Sequence, residues 1–162
     1  ADMMNLEVIP LDKYKEFAIR LFGKFDKKIK EEAIEHVYQA FGGNTYYMQK
    51  VMHEAFNQTA PQAEADREMV EGIIHALVLD NDHKFSEILS RLTLPQKELL
   101  YAVAKEGMAS QITSSGFVKK HSLRSASSVQ SAVKKLLEYH LISTSKSAYY
   151  IDDQLMNLWL KE

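Results

Sequence analysis

Between Thr93 and Glu162 the spacing of apolar residues changes several times, and the order of those changes limits the possible folds more than any single motif. Thr93 and Gln96 stand at capping-box spacing ahead of Leu99, Leu100, Val103 and Ala104, which predicts a helix that ends at Gly107. The stretch "ITSSGFVKKHSL" holds a short helix around Phe117 and Val118, capped by Ser114 or Ser115. "RSAS" turns into an amphipathic helix whose buried side is Val129, Val133, Leu136 and Leu137. "LISTS" and "SAYYIDD" then alternate as strands do, with Lys146 between them, and predict a two-stranded hairpin. Asp152 or Asp153 caps a last helix carrying Leu155, Leu158, Trp159 and Leu160. Helix, short helix, turn, helix and hairpin in that order are the layout of a winged helix-turn-helix. Such folds commonly place Gly where the third helix meets the hairpin. His140 holds that place here, and His tolerates a left-handed backbone better than most residues.

The first half keeps a helical rhythm throughout. Tyr14, Phe17, Ala18, Leu21, Phe22 and Phe25 share one face, with Asp12 as cap after Pro10. A second helix from 29 to 41 turns Ile29, Ala33, Ile34, Val37 and Phe41 inward and ends at Gly42-Gly43, where positive φ carries no penalty. Asn44 caps a third, striped by Tyr47, Met48, Val51, Met52 and Ala55. A long helix over 61–79 and a short one built on Phe85, Ile88, Leu89 and Leu92 follow. The expected fold class is therefore mainly α: a helical bundle over 1–93, then a winged helix-turn-helix with a small β-hairpin over 94–162.

Composition narrows the function classes. A hydrophobic share of 46% is ample for a core, and no Cys excludes disulfides and thiolate zinc sites. No apolar run approaches the roughly 18 residues that span a bilayer. No charged-then-apolar leader is visible, so a cytoplasmic protein without membrane association is expected. The net charge of −2 divides unevenly: residues 94–162 carry 9 Lys and Arg against 6 Asp and Glu, a balance of +3, while residues 1–93 carry 11 against 16, a balance of −5. The mild positive balance thus accompanies the predicted helix-turn-helix, which permits nucleic-acid contact but falls short of the dense basic stripe that would argue for it alone.

Chemical motifs are scarce. No stretch fits G-x-x-x-x-G-K-[ST], whose amides and Lys hold a triphosphate. The six His, at 36, 53, 75, 83, 121 and 140, include no i, i+4 pair, and no metal site is expected. Ser131–Lys134 and Ser143–Lys146 match S-x-x-K, but the S-D-N and K-T-G elements that make it a nucleophile are missing. Tyr46-Tyr47 and Tyr149-Tyr150 place one ring each in register with an apolar face, which favours packing over base stacking. No catalytic residue is predicted, and the chain is expected not to be an enzyme.

Several stretches together resemble the C-terminal region of prokaryotic AAA-type ATPases of the archaeal-type STAND group. "IPLDKYKEFAIRLFGKF" looks like the start of the helical lid that follows such a core, and "FGGNTYYMQKVMHEAF" is similar to its Gly-Gly turn and next helix. "LTLPQKELLYAVAKEG", "SASSVQSAVKKLLEYHLI" and "YYIDDQLMNLWL" look like the C-terminal winged helix. The resemblance implies a non-catalytic lid and winged-helix piece, with ATP and Mg bound by an N-terminal ATPase core outside this sequence. It also implies that Gly42, Gly43, Asn44 and Thr45 face the nucleotide, Thr45 standing where relatives often have Pro.

Whatever the parent, the predicted third helix offers Ser127, Ser128, Gln130, Ser131 and Lys134 on its polar side, with Lys119, Lys120, Arg124 and Lys146 flanking it. This surface suits double-stranded DNA or a regulatory protein. A free-standing DNA-binding regulator, with the helical half sensing a ligand or forming a dimer, is the alternative reading.

Overall fold

The computed structural model describes residues 8–162, which divide into two compact units, one ending at Asp80 and one running from Asn81 to Glu162. In the first, α1 (Leu11–Gly23), α2 (Glu31–Phe41), α3 (Thr45–Gln58) and α4 (Arg67–Asp80) build a bundle in which α2 touches the other three. Ala33, Ile34, Val37 and Phe41 of α2 are fully buried, as their spacing requires. Phe22 meets the edge of Phe56 with ring centres 5.3 Å apart. Asn44 caps α3, its side-chain oxygen accepting from the Tyr46 N–H at 3.0 Å.

Three expectations for this unit change. Of the six apolar residues expected inward on α1, Tyr14, Ala18 and Phe22 are buried, whereas Phe17, Leu21 and Phe25 are exposed by 52%, 37% and 58%. The neighbours of α1, chiefly α2 and β1, cover only a narrow stripe; Phe17 and Leu21 lie outside it, and Phe25 falls beyond the end of the helix. Ile29 belongs not to α2 but to β1 (Lys28–Ile29), which pairs in parallel with β2 (Glu64–Ala65). The chain accordingly turns at 61–62, with Gln62 at φ +71°, before β2, and α4 starts after Asp66, whose carboxylate accepts from the Met69 N–H at 2.9 Å.

The second unit opens with α5 (Asp82–Ser90). Its Phe85 is buried beside Trp159 of α9 (Gln154–Lys161), ring centres 5.5 Å apart, while the indole N–H donates to Asp82 at 2.8 Å. These contacts place the division at Asp80–Asn81 and not at 93–94, because α5 is fastened to the far end of the chain. Next come α6 (Leu94–Glu106), β3 (Ala109–Ser110), α7 (Ser115–Lys120), α8 (Ala126–Glu138) and a hairpin of β4 (Ile142–Ser145) and β5 (Ala148–Ile151). The sheet order is β3-β5-β4, all antiparallel, with Ser110 opposite Ala148 and Ser143 opposite Tyr150. β3 has two residues, too short for an alternating pattern to announce it.

Local capping explains the helix limits. Gln96 accepts from the Thr93 backbone N–H at 3.0 Å, Ser114 accepts from Phe117 at 3.1 Å and Ser125 from Ser128 at 3.1 Å. Of the two acids considered as caps for α9, Asp153 takes the role, accepting from Leu155 and Met156. Asp152 instead accepts from the buried Ser143 hydroxyl at 2.7 Å and pins the two strands together. Among the described residues no helix is long and apolar enough to cross a membrane.

The end of α8 is a Schellman motif: the His140 N–H donates to Leu137 at 3.0 Å and the Leu141 N–H to Leu136 at 3.0 Å. It requires the left-handed region, and His140 adopts φ +59°. An L side chain there costs about 1 kcal/mol relative to Gly. His140→Gly should therefore raise the unfolding free energy by up to about 1 kcal/mol, and His140→Val should lower it. Urea denaturation of the three proteins tests this, and a less stable Gly variant would contradict it.

Candidate nucleic-acid interface

The polar side of α8 is held outward by the packing of its other side. Val129, Ala132 and Leu136 are buried, which leaves Ser127, Gln130, Ser131 and Lys134 exposed and Ser128 half-buried. The sequence-predicted face is therefore a real surface. Ser131 and Lys134 lie on the side toward the start of α6, where with Thr93, Pro95, Gln96 and Glu138 they line a shallow groove. The Ser127 and Ser125 hydroxyls lie 3.2 Å apart.

The flanking cations separate into two groups. Lys120 donates to Glu106 at 2.7 Å, and the nearly buried His121 ring reaches the same carboxylate oxygen at 2.8 Å. Lys120 is thus partly neutralised. Lys135 is similarly drawn to Glu138 at 3.3 Å. Lys119, Arg124, Lys134 and Lys146 are exposed and make no ion pair among the described residues. They come from α7, the turn before α8, α8 itself and the tip of the hairpin.

That tip is a two-residue turn, Lys146-Ser147, with φ +50° and +66°. Positive φ at both positions is the type I′ geometry, which Asn-Gly satisfies with least strain. A Lys and a Ser are held here in a conformation that disfavours both, and the result is a cation at the outermost point of the hairpin.

The Glu106 cluster could not be found from spacing, because its members lie on either side of a loop. The Lys120 hydrogen bond, and after it that of His121, holds the Glu106 carboxyl below the usual carboxylate range. A depressed folded value stabilises the fold above the unfolded carboxylate pKa of about 4.3, and this is lost as pH falls through the folded value. Glu106→Gln should lower stability at pH near 7, and the difference from wild type should close in acid. Urea midpoints across that range check it; a gap that persists in acid would point to packing instead.

The turn at Gly42, Gly43, Asn44 and Thr45 serves the fold closely. Gly42 and Gly43 have φ +57° and +80°, and a side chain at Gly43 would collide with Val8 and crowd the Tyr38 hydroxyl. The Asn44 oxygen is engaged in capping and Thr45 is half-buried. Tyr47 stacks on Phe41 at 5.3 Å, and the Ser143 hydroxyl donates to Asp152 across the hairpin. Among the described residues no group of three or more His, Asp or Glu is placed to hold a metal.

Residues 83–162 match the family model described as a probable winged helix domain. The match starts within α5, ten residues before the capping box at Thr93, in keeping with the attachment of that helix to α9. With the α6, β3, α7, α8, β4, β5 order and the β3-β5-β4 sheet, the second unit is a winged helix domain, and the chain as a whole is mainly helical. No curated protein matches the chain.

Proposed function

We propose that the winged helix is a weak DNA-binding module of a larger nucleotide-coupled protein, with α8 entering the major groove. The observation that carries this reading is the exposed Ser127, Gln130, Ser131 and Lys134 face of α8, bordered by the cations Lys119, Arg124 and Lys146. Phosphates fix the register, and the short polar side chains reach base edges. Lys146 at the hairpin tip is set for an adjacent phosphate or the minor groove. Support for the larger protein is the resemblance of both halves to the lid and winged helix of AAA-type STAND ATPases. In that reading ATP and Mg bind the N-terminal core, and the nucleotide state repositions the winged helix. The chain itself performs no catalysis. A regulatory protein on the same face is the competing occupant, favoured by Glu138 beside Lys134 and Lys135, which repels a phosphate backbone.

With four cations free for phosphates, the slope of log K against log salt should be no steeper than about −4, so binding by a single copy is weak and lost at moderate salt. Fluorescence anisotropy on random duplex at low salt measures it. Arg124→Glu with Lys134→Glu should abolish binding, and Lys146→Asn with Ser147→Gly should weaken it while making the hairpin more stable. Equal affinity of the double charge reversal and the wild type would remove DNA from this face and leave a protein partner.

A second expectation concerns nucleotide. The sequence holds no G-x-x-x-x-G-K-[ST] motif to cradle a triphosphate and its magnesium ion, so isothermal titration with Mg-ATP should show no low-micromolar binding. Tight binding would overturn the lid assignment for this half.

A further inference from the structure

The first unit carries two surfaces that complement each other and cannot meet within one copy. On α1, Phe17 and Leu21 form an exposed apolar stripe, and Lys13, Arg20 and Lys24 border it on one side. None of the three cations makes an ion pair among the described residues. Between α3 and α4 lies an open groove of about 770 Å³, large enough to receive two side chains of that size. Its floor includes Met69, Ile73 and Leu77, and Glu54, Glu68 and Asp80 stand around it. Glu68 and Asp80 have no ion-pair partner among the described residues, and Glu54 accepts from the neutral Gln58 amide at 3.0 Å. The one cation in the lining, Lys50, lies over the Tyr46 ring at 5.5 Å. Apolar floor matches apolar stripe, and acidic rim matches basic border.

Because α1 packs on α2 and buries Tyr14, Ala18 and Phe22, with Tyr14 beside Tyr38 of α2 and Phe22 beside Phe56 of α3, its outer face cannot turn toward the groove of its own copy. We propose that the α1 stripe of one copy docks into the α3/α4 groove of a second copy, with Phe17 and Leu21 inserted and Lys13, Arg20 and Lys24 against the acidic rim. The contact is heterologous: the first copy keeps its groove open and the second its stripe, so association continues into a ring or a row. The inference is independent of what the winged helix binds.

Sedimentation velocity over a range of concentrations tests this on the full chain. The wild type should show a mass average that rises with concentration and falls with added salt, since exposed charges frame the contact. Phe17→Ser with Leu21→Ser removes the stripe from a surface position. Gly72→Arg blocks the groove from a site where an added Cβ meets nothing within 4 Å, so the fold is left intact. Circular dichroism melts confirm that both variants fold. Each alone should remain a monomer, whereas their mixture should give a one-to-one dimer and nothing larger, because one intact stripe meets one intact groove. A wild type that stays monomeric at hundreds of micromolar would overturn the proposal. So would association of either variant alone, or a mixture that stays monomeric.

Discussion

The packing of α8 against α6 is the constraint on which the second unit depends. Leu99, Leu100 and Val103 on one helix and Val129, Ala132 and Leu136 on the other are all buried, and truncating a leucine in such a seam costs about 2–5 kcal/mol. This apolar side also decides which residues of α8 remain in water. Because a helix repeats every 3.6 residues, burying 129, 132 and 136 compels 127, 130, 131 and 134 to face outward. The candidate interface is thus a by-product of the core, with no separate device needed to orient it. The hairpin is attached to the same core through Ile142 and Ile151, and α9 through Leu155 and Met156. Helix, wing and terminal helix therefore keep a fixed relation to one another.

What could be read from the sequence follows from how local each signal is. Capping boxes, the Gly-Gly stop and the apolar spacing act within a few residues, so α6, α7, α8 and the hairpin are found where Thr93, Ser114, Leu136 and Lys146 place them. The polar face of α8 was equally accessible, being fixed by its own periodicity. The two-residue strands were not, since a Lys28–Glu64 or Ser110–Ala148 pairing is a property of distant segments. Nor was the unit boundary: Leu92 and Thr93 look like a break, but Phe85 and Asp82 are claimed by Trp159, whose position is set by the end of the chain. The same limit hid Glu106, whose pairing with Lys120 takes one expected phosphate contact partly out of use.

On α1 the apolar face extends past what its neighbours bury. A stripe of Tyr14, Phe17, Ala18, Leu21, Phe22 and Phe25 is wider than the neighbours of α1 cover, and Phe17, Leu21 and Phe25 stay exposed. Apolar width in excess of the available cover is itself a signal that something else occupies the remainder. Phe25 partly satisfies this locally, meeting the edge of Phe56 at 5.2 Å, but Phe17 and Leu21 have no such ring beside them among the described residues.

Backbone strain offers a further view of the winged helix. His140, Lys146 and Ser147 all take positive φ without being Gly, and they cluster within eight residues at the junction of α8 and the wing. Each costs roughly 1 kcal/mol that Gly or Asn would largely avoid. Elsewhere positive φ falls both on Gly, at Gly42, Gly43 and Gly107, and on other residues, at Asp26, Gln62, Gln111 and Ser122. The wing is thus one of several places where side chains are kept at a cost to stability, and it holds three of them within eight residues. For Lys146 the gain is a charge at a point that no residue in a regular strand could reach, so the strain and the proposed phosphate contact have one explanation. His140 has no comparable partner among the described residues, and it is exposed at the end of α8. It therefore separates the two effects: at Lys146 relief of strain and loss of charge occur together, whereas at His140 strain can be relieved with the cations of the interface left in place.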